Sequence, residues 1–156
     1  MKIDHARLLA FANKIVAAGG SSPAEASIVA DHLLEANLRG HDSHGVGMLV
    51  AYVRDFEAGT LKPNQKPEIV SDTGTISVWD AHGGYGQVIA RQAVEWAIEA
   101  ARKHGVAVNG LRNAHHIGRV GTYGEIAARA GMVGLHFVNV ASGRAKISGS
   151  THETSD

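Results

Sequence analysis

Cysteine is absent from the 156 residues, so neither a disulfide framework nor thiolate chemistry is open to this chain. Net charge is absent as well. Fifteen Lys and Arg offset fifteen Asp and Glu, which removes the usual electrostatic case for a nucleic-acid or membrane-surface partner. No apolar run approaches the ~18–20 residues of a membrane span. The opening Met1-Lys2-Ile3-Asp4-His5 turns acidic where a secretory apolar core would begin, so no signal peptide is visible. These absences leave a soluble, cytoplasmic protein of one domain or a pair of small ones, long enough for a proper core.

Two residue types are plentiful instead. Gly reaches 19, about 12% of the chain against a typical ~7%. Ten His are present, not as a tag-like run but partly in small groups, His41/His44 and His115/His116. Both counts point to sites without identifying them.

The first 60 or so residues read as helical. Leu8, Leu9, Ala12, Ile15 and Val16 recur at helical spacing after Asp4, an N-cap residue, and Gly19-Gly20 ends the run. Ser22-Pro23-Ala24-Glu25 is a capping box with Pro at the first helical position. The helix it opens sets Ala26, Ala30, Leu33, Leu34 and Leu38 on one face and stops near Gly40. A third pattern, Val46, Leu49, Val50, Val53 and Phe56, begins just after Asp42-Ser43 and ends at Gly59. Leu61 to Pro67 is a polar linker with two Pro.

Beyond the linker the texture is α/β. Short strands are predicted at Glu68–Val70, Thr75–Trp79 and Val106–Val108, and a buried strand at Met132–Val140. A long helix follows Gly83-Gly84-Tyr85-Gly86, with Ile89, Ala93, Trp96, Ala97 and Ala100 inward and its end at His104-Gly105. Another helix is predicted from Tyr123 to Arg129. Strand–helix–strand–helix–strand order makes residues 68–140 an α/β unit behind a helical segment, 1–67. Residues 141–156 are polar and aperiodic, and read as a disordered tail.

Chemistry concentrates in two clusters. In Arg39-Gly40-His41-Asp42-Ser43-His44-Gly45, Asp42 or Ser43 would cap the third helix and put His44 in its first turn. Positive potential there keeps an imidazole neutral near pH 7 and able to take up a proton, and the Ser43 hydroxyl can share one with it. The plainer account is an ordinary capping loop. The second cluster, Asn113-Ala114-His115-His116-Ile117-Gly118, follows a strand, where ligands gather in α/β sheets. A metal site is a weak rival, because adjacent His side chains point apart and neither Cys nor an HExxH helix helps them. Gly83-Gly84-Tyr85-Gly86 reads as a tight turn before a helix, and Gly118-x-x-Gly121-x-x-Gly124 as a helix packed closely on a strand. Neither is a phosphate-loop pattern.

The order of these motifs carries more than each does alone. The string Arg39-Gly40-His41-Asp42-Ser43-His44-Gly45-Val46 comes first, then Tyr52 and Gly59. Asp80-x-x-x-Gly84-x-Gly86, Asn113-x-x-His116-x-Gly118 and Gly131-Met132-Val133-Gly134 follow. Together they resemble the type-2 malate/L-lactate dehydrogenase family from about residue 5 to 140. The resemblance implies a non-Rossmann α/β fold, a homodimer, and hydride transfer between NAD or NADP and a small 2-hydroxy or 2-oxo acid. It implies Ser43 and His44 as a proton-relay pair and His116 beside the nicotinamide. Ile117, Gly118, Arg119 and Val120 would extend the cofactor-binding stretch.

Departures accompany it. Met48 stands where the family usually has an Arg to hold the substrate carboxylate, and a thioether cannot make that bidentate charged pair. Ala114 stands where Ser or Thr is usual. The family is about twice this length, so the off-pattern tail implies a truncated form. Two other readings remain at this stage: a catalytically inactive folded or dimerising fragment, and a His-based metal-binding protein.

Overall fold

Asp4 and Ser22 start the first two helices where the sequence predicts. The structure, a computed structural model, describes residues 3–139. The Asp4 carboxylate accepts a hydrogen bond from the Arg7 amide at 3.0 Å, and α1 runs His5–Ala18. Ser22 Oγ accepts from the Glu25 amide at 3.3 Å, and α2 follows as Pro23–Leu38 with Pro at its first position. The other arm of the capping box is redirected. Glu25 accepts from the Asn64 amide at 2.8 Å, while the Ser22 amide donates to Asn64 Oδ1 at 2.7 Å. The polar linker is thereby tied to the start of α2.

The third helix departs from expectation. Asp42–His44 and Val46–Met48 form two single 3-10 turns, and α3 itself covers only Leu49–Glu57. Neither Asp42 nor Ser43 caps it. Asn37 at the end of α2 explains the delay: its amide donates to Asp42 Oδ1 at 2.5 Å and its carbonyl accepts from the Val46 amide at 2.8 Å. The loop's polar groups are thus satisfied by α2 rather than by a continuous helix. The inward face of α3 is also rotated from the apolar reading. Leu49, Tyr52 and Asp55 are buried, whereas Val50, Val53 and Phe56 are exposed. Leu38, expected on the buried face of α2, is exposed too.

Ala12 and Val16 of α1 pack with Ala26, Val29, Ala30 and Leu33 of α2, with Leu49 and Tyr52 of α3 beside them. Leu61, Tyr85 and Val88 extend this core toward the sheet. Among the described residues the sheet has three strands in the order β1, β2, β3: Glu68–Asp72, Ile76–Asp80 and Val108–Arg112. β1 pairs antiparallel and β3 parallel with β2. α4, Gly86–His104, makes the crossover between the parallel pair. Ile89, Ala93 and Ala100 are buried on it as predicted, and Trp96 and Ala97 only half so. α5 covers Gly121–Arg129 and packs on α4 rather than on a strand.

Two strand predictions change. β3 starts at Val108, not Val106, because the Val108 amide donates to the Thr75 carbonyl at 2.8 Å and Ile76 pairs with Val108. The strand predicted from Met132 is absent through residue 139, where Val133 and Phe137 are each 92% exposed. That stretch pairs with no strand among the described residues, and a strand without a partner leaves its backbone groups unpaired. Val140 and the tail expected to be disordered, 141–156, lie outside the described residues.

Candidate active site

Asp80, at the carboxyl end of β2, organises the loop that carries the second histidine cluster. Its buried carboxylate accepts from the His82 amide at 2.9 Å, from Asn113 Nδ2 at 2.7 Å and from Arg112 Nε at 2.9 Å. Those donors hold its pKa below the usual carboxylate value, the His82 amide contributing most. Asn113, at φ 53°, also accepts from the Gly83 amide through its carbonyl at 2.8 Å. The following His115 amide donates to the Gly84 carbonyl at 3.0 Å. Gly86 is obligatory for this approach, since a Cβ on it would stand 2.2 Å from the His115 carbonyl oxygen. The loop is therefore clamped between β2 and the start of α4.

His115 and His116 point apart, as adjacent residues must, and each finds a partner on α3. His115 Nε2 lies 2.8 Å from the buried Asp55 carboxylate. His116 Nδ1 lies 2.7 Å from the Tyr52 hydroxyl, to which Gln87 Nε2 donates at 2.5 Å. The rotation of α3 that exposes Val50 and Val53 is what delivers Tyr52 and Asp55 to these imidazoles.

The two sequence clusters meet through His44 and His116. Their rings stack with centroids 5.3 Å apart and planes 27° from parallel. Ser43 Oγ lies 2.9 Å from His44 Nδ1, so the expected Ser–His pair is formed, although in a 3-10 turn rather than at a helix start. No α-helix N-terminus therefore lies at His44. Burial pushes His116 down to about 4, with His44, His115 and His32 adding to the effect. Burial also lowers His115 and His32, and raises the Tyr52 hydroxyl. At neutral pH His116 is thus an uncharged imidazole flanked by a protonated phenol.

Ile117 to Val120 follow His116 directly, and Arg119 and Val120 share a hollow with His44. Gly118 takes φ 73°, and a Cβ there would meet His32 Nε2 at 2.4 Å, so two separate reasons require glycine. His32 Nε2 accepts from the Arg119 amide at 2.9 Å, and Tyr123 donates its hydroxyl proton to the Ile117 carbonyl. Arg119 pairs with Glu125 at 2.6 Å, and Arg39 reaches the same carboxylate at 3.0 Å. His41, His44, Arg119, Val120 and Gly121 line a hollow of about 260 Å³. Met48, half-buried, packs against the helical core.

Ser43, His44, His116 and the stretch 117–120 are therefore brought to one place. Among the described residues, no three His, Asp or Glu side chains gather as a metal site would require. Composition and spacing gave no role to His32, Asp55 or Gln87, all buried polar side chains. For His32 a signal existed, a polar residue within the apolar pattern of α2. Asp55 and Tyr52 share one face of α3 by their three-residue spacing.

The chain is similar over most of its length to several known proteins. The chain is 43% identical over 139 residues to hydroxycarboxylate dehydrogenase B of Escherichia coli K12, covering 89% of the chain and 38% of that protein. It is 39% identical over 140 residues to an L-lactate dehydrogenase of Cupriavidus necator, covering 90% and 40%. The solved malate dehydrogenase of Pyrococcus horikoshii OT3 superposes with a TM-score of 0.80 at 31% identity, covering 84% of this chain and 38% of that one. The chain thus spans about two fifths of the length of these relatives. The family's sequence profile, that of the malate/L-lactate dehydrogenases, matches residues 3–154. With that match and those identities, the chain belongs to the malate/L-lactate dehydrogenase family.

Proposed function

We propose that these residues form the proton-handling part of a dehydrogenase that moves a hydride between NAD or NADP and a small 2-hydroxy or 2-oxo acid. The observation that carries this reading is the stacked His44–His116 pair, with Ser43 on its outer member, beside the hollow at Arg119–Gly121. The names of the relatives, which include malate, L-lactate and L-sulfolactate dehydrogenases, support the substrate class.

Nicotinamide fits this place in part. Arg119 Nε is buried without a hydrogen-bond partner. A hollow of about 260 Å³ suits the nicotinamide end and a small acid, while a whole dinucleotide needs the upper range of ~300–1,000 Å³ pockets. When bound, the cofactor supplies or accepts the hydride. His116, Ile117, Gly118, Arg119 and Val120 would hold its ring end. His44, hydrogen-bonded to Ser43, handles the proton of the substrate hydroxyl. His116 stays uncharged and orients the substrate oxygen. Met48 cannot grip a carboxylate, so that contact must come from another group. A cytoplasmic homodimer, made through the exposed apolar faces, completes the proposal.

The test is loss of reduced-nicotinamide absorbance with a panel of 2-oxo acids, with NADH and NADPH compared. It is run on a polypeptide carrying these residues at the full length of the relatives. Turnover of at least one 2-oxo acid is expected. Failure of every such acid with both cofactors would refute the reading.

A further inference from the structure

Tyr52 is 2% exposed and Gln87 is fully buried, so no solvent competes for the phenol oxygen between Gln87 and His116. That oxygen carries one proton. Gln87 Nε2 donates to it at 2.5 Å, which leaves the phenol's own proton for His116 Nδ1 at 2.7 Å. A ring nitrogen that accepts a hydrogen bond carries no proton, so in a neutral imidazole the proton sits on the other nitrogen. The amide orientation follows from what lies behind it. Gln87 Oε1 is buried without a partner. Turning the amide over would put an N–H₂ group there, and a buried donor without an acceptor is rarer in proteins than an under-used carbonyl.

We propose that Gln87, acting through Tyr52, holds His116 in its Nε2–H tautomer and so presents that ring to the substrate oxygen as a hydrogen-bond donor. Tyr52 and Gln87 are positioning residues: they touch neither substrate nor cofactor and act by fixing which nitrogen of His116 carries the proton. The arrangement divides labour between the two stacked rings. His116, its proton committed to Nε2, orients and polarises the substrate oxygen, while His44 with Ser43 is left to exchange a proton. What His116 does with its donor rests on the dehydrogenase reading above; the tautomer itself does not.

The tautomer is read directly by long-range ¹H–¹⁵N correlation spectra of the 156-residue chain with ¹⁵N-labelled histidine, at neutral pH and without cofactor or substrate. His116, assigned through loss of its signals in His116→Asn, is expected to show a pyrrole-type Nε2 and a pyridine-type Nδ1. Tyr52→Phe removes the donor, and Nδ1 should then shift to the position of an unbonded pyridine-type nitrogen. Gln87→Met should bring up a second population with the proton on Nδ1. A pyrrole-type Nδ1 in the unmutated chain, or an Nδ1 signal unmoved by Tyr52→Phe, would overturn the proposal. The unmutated spectrum decides the matter even if a variant fails to fold. Because no turnover is involved, a negative 2-oxo acid assay would sink the dehydrogenase reading and leave this result standing.

Discussion

The seam between the first three helices and the outer surfaces around the sheet treat their apolar side chains differently. Between α1, α2 and α3, Ala12, Ala26, Val29, Ala30 and Leu33 are completely shut away from solvent. Around the sheet, Ile69, Val70, Ile76 and Val108 all remain exposed, and so do Val133, Leu135 and Phe137 after α5. The difference shows in the site. Its rigid supports, His32, Asp55 and Tyr52, come from the closed helical core, where packing fixes each rotamer. The open surfaces leave apolar area facing solvent.

Mutations in the two parts should therefore differ most in stability. Leu33→Ala, at a fully buried position, is expected to cost about 2–5 kcal/mol through lost burial and a residual cavity. Phe137→Ala, at a position 92% exposed, should stay within about 0.5 kcal/mol. Urea denaturation of both variants makes the comparison. Equal losses would mean that the 132–139 stretch is packed in solution.

Gly118 joins the closed core to the stretch 117–120, and it gives the next largest effect. Gly118→Ala must hold a side chain at φ 73° and push on His32, for an expected loss of about 1–3 kcal/mol from the backbone conformation alone. Breaking the His32–Arg119 bond adds to that. The same urea measurement checks it, and a loss near zero would show that 117–120 is not clamped.

A smaller effect follows from the buried imidazoles. His116 is held at about 4 when folded, against an ordinary 6.5 in the unfolded chain. Between those values the unfolded state binds the extra proton, so stability rises with pH through the window and is lost as pH falls from about 6.5 toward 4. His32 and His115, also lowered by burial, act in the same direction. Denaturation midpoints across this window should slope less steeply in His116→Asn than in the unmutated chain. Parallel slopes would mean that His116 is solvated.

Much of this was legible in the residues because the signals were local. Asp4, Ser22 and Pro23 announce helix starts by side-chain chemistry alone, and the motif order pointed to Ser43, His44 and His116 as one site. Features set by distant partners were not legible. Asn37 delays α3 by bonding to Asp42 and Val46, and no periodicity reports that. The buried face of α3 includes Tyr52 and Asp55 because two imidazoles from residues 115 and 116 await them, whereas hydrophobicity alone favours Val50, Val53 and Phe56. Val133, Leu135 and Phe137 have strand character but pair with no strand among the described residues.

The central claim is that His44 exchanges the substrate proton while His116 orients the substrate oxygen. Steady-state kinetics of His44→Ala and His116→Ala, with a 2-oxo acid and reduced nicotinamide in a polypeptide of the relatives' full length, test it most directly. His44→Ala should lower kcat by ~10²–10⁴, the usual contribution of a positioned acid or base, with cofactor affinity little changed. His116→Ala should impair both kcat and cofactor binding. Unaltered turnover in His44→Ala, together with its abolition in His116→Ala, would contradict the account and move the proton to His116.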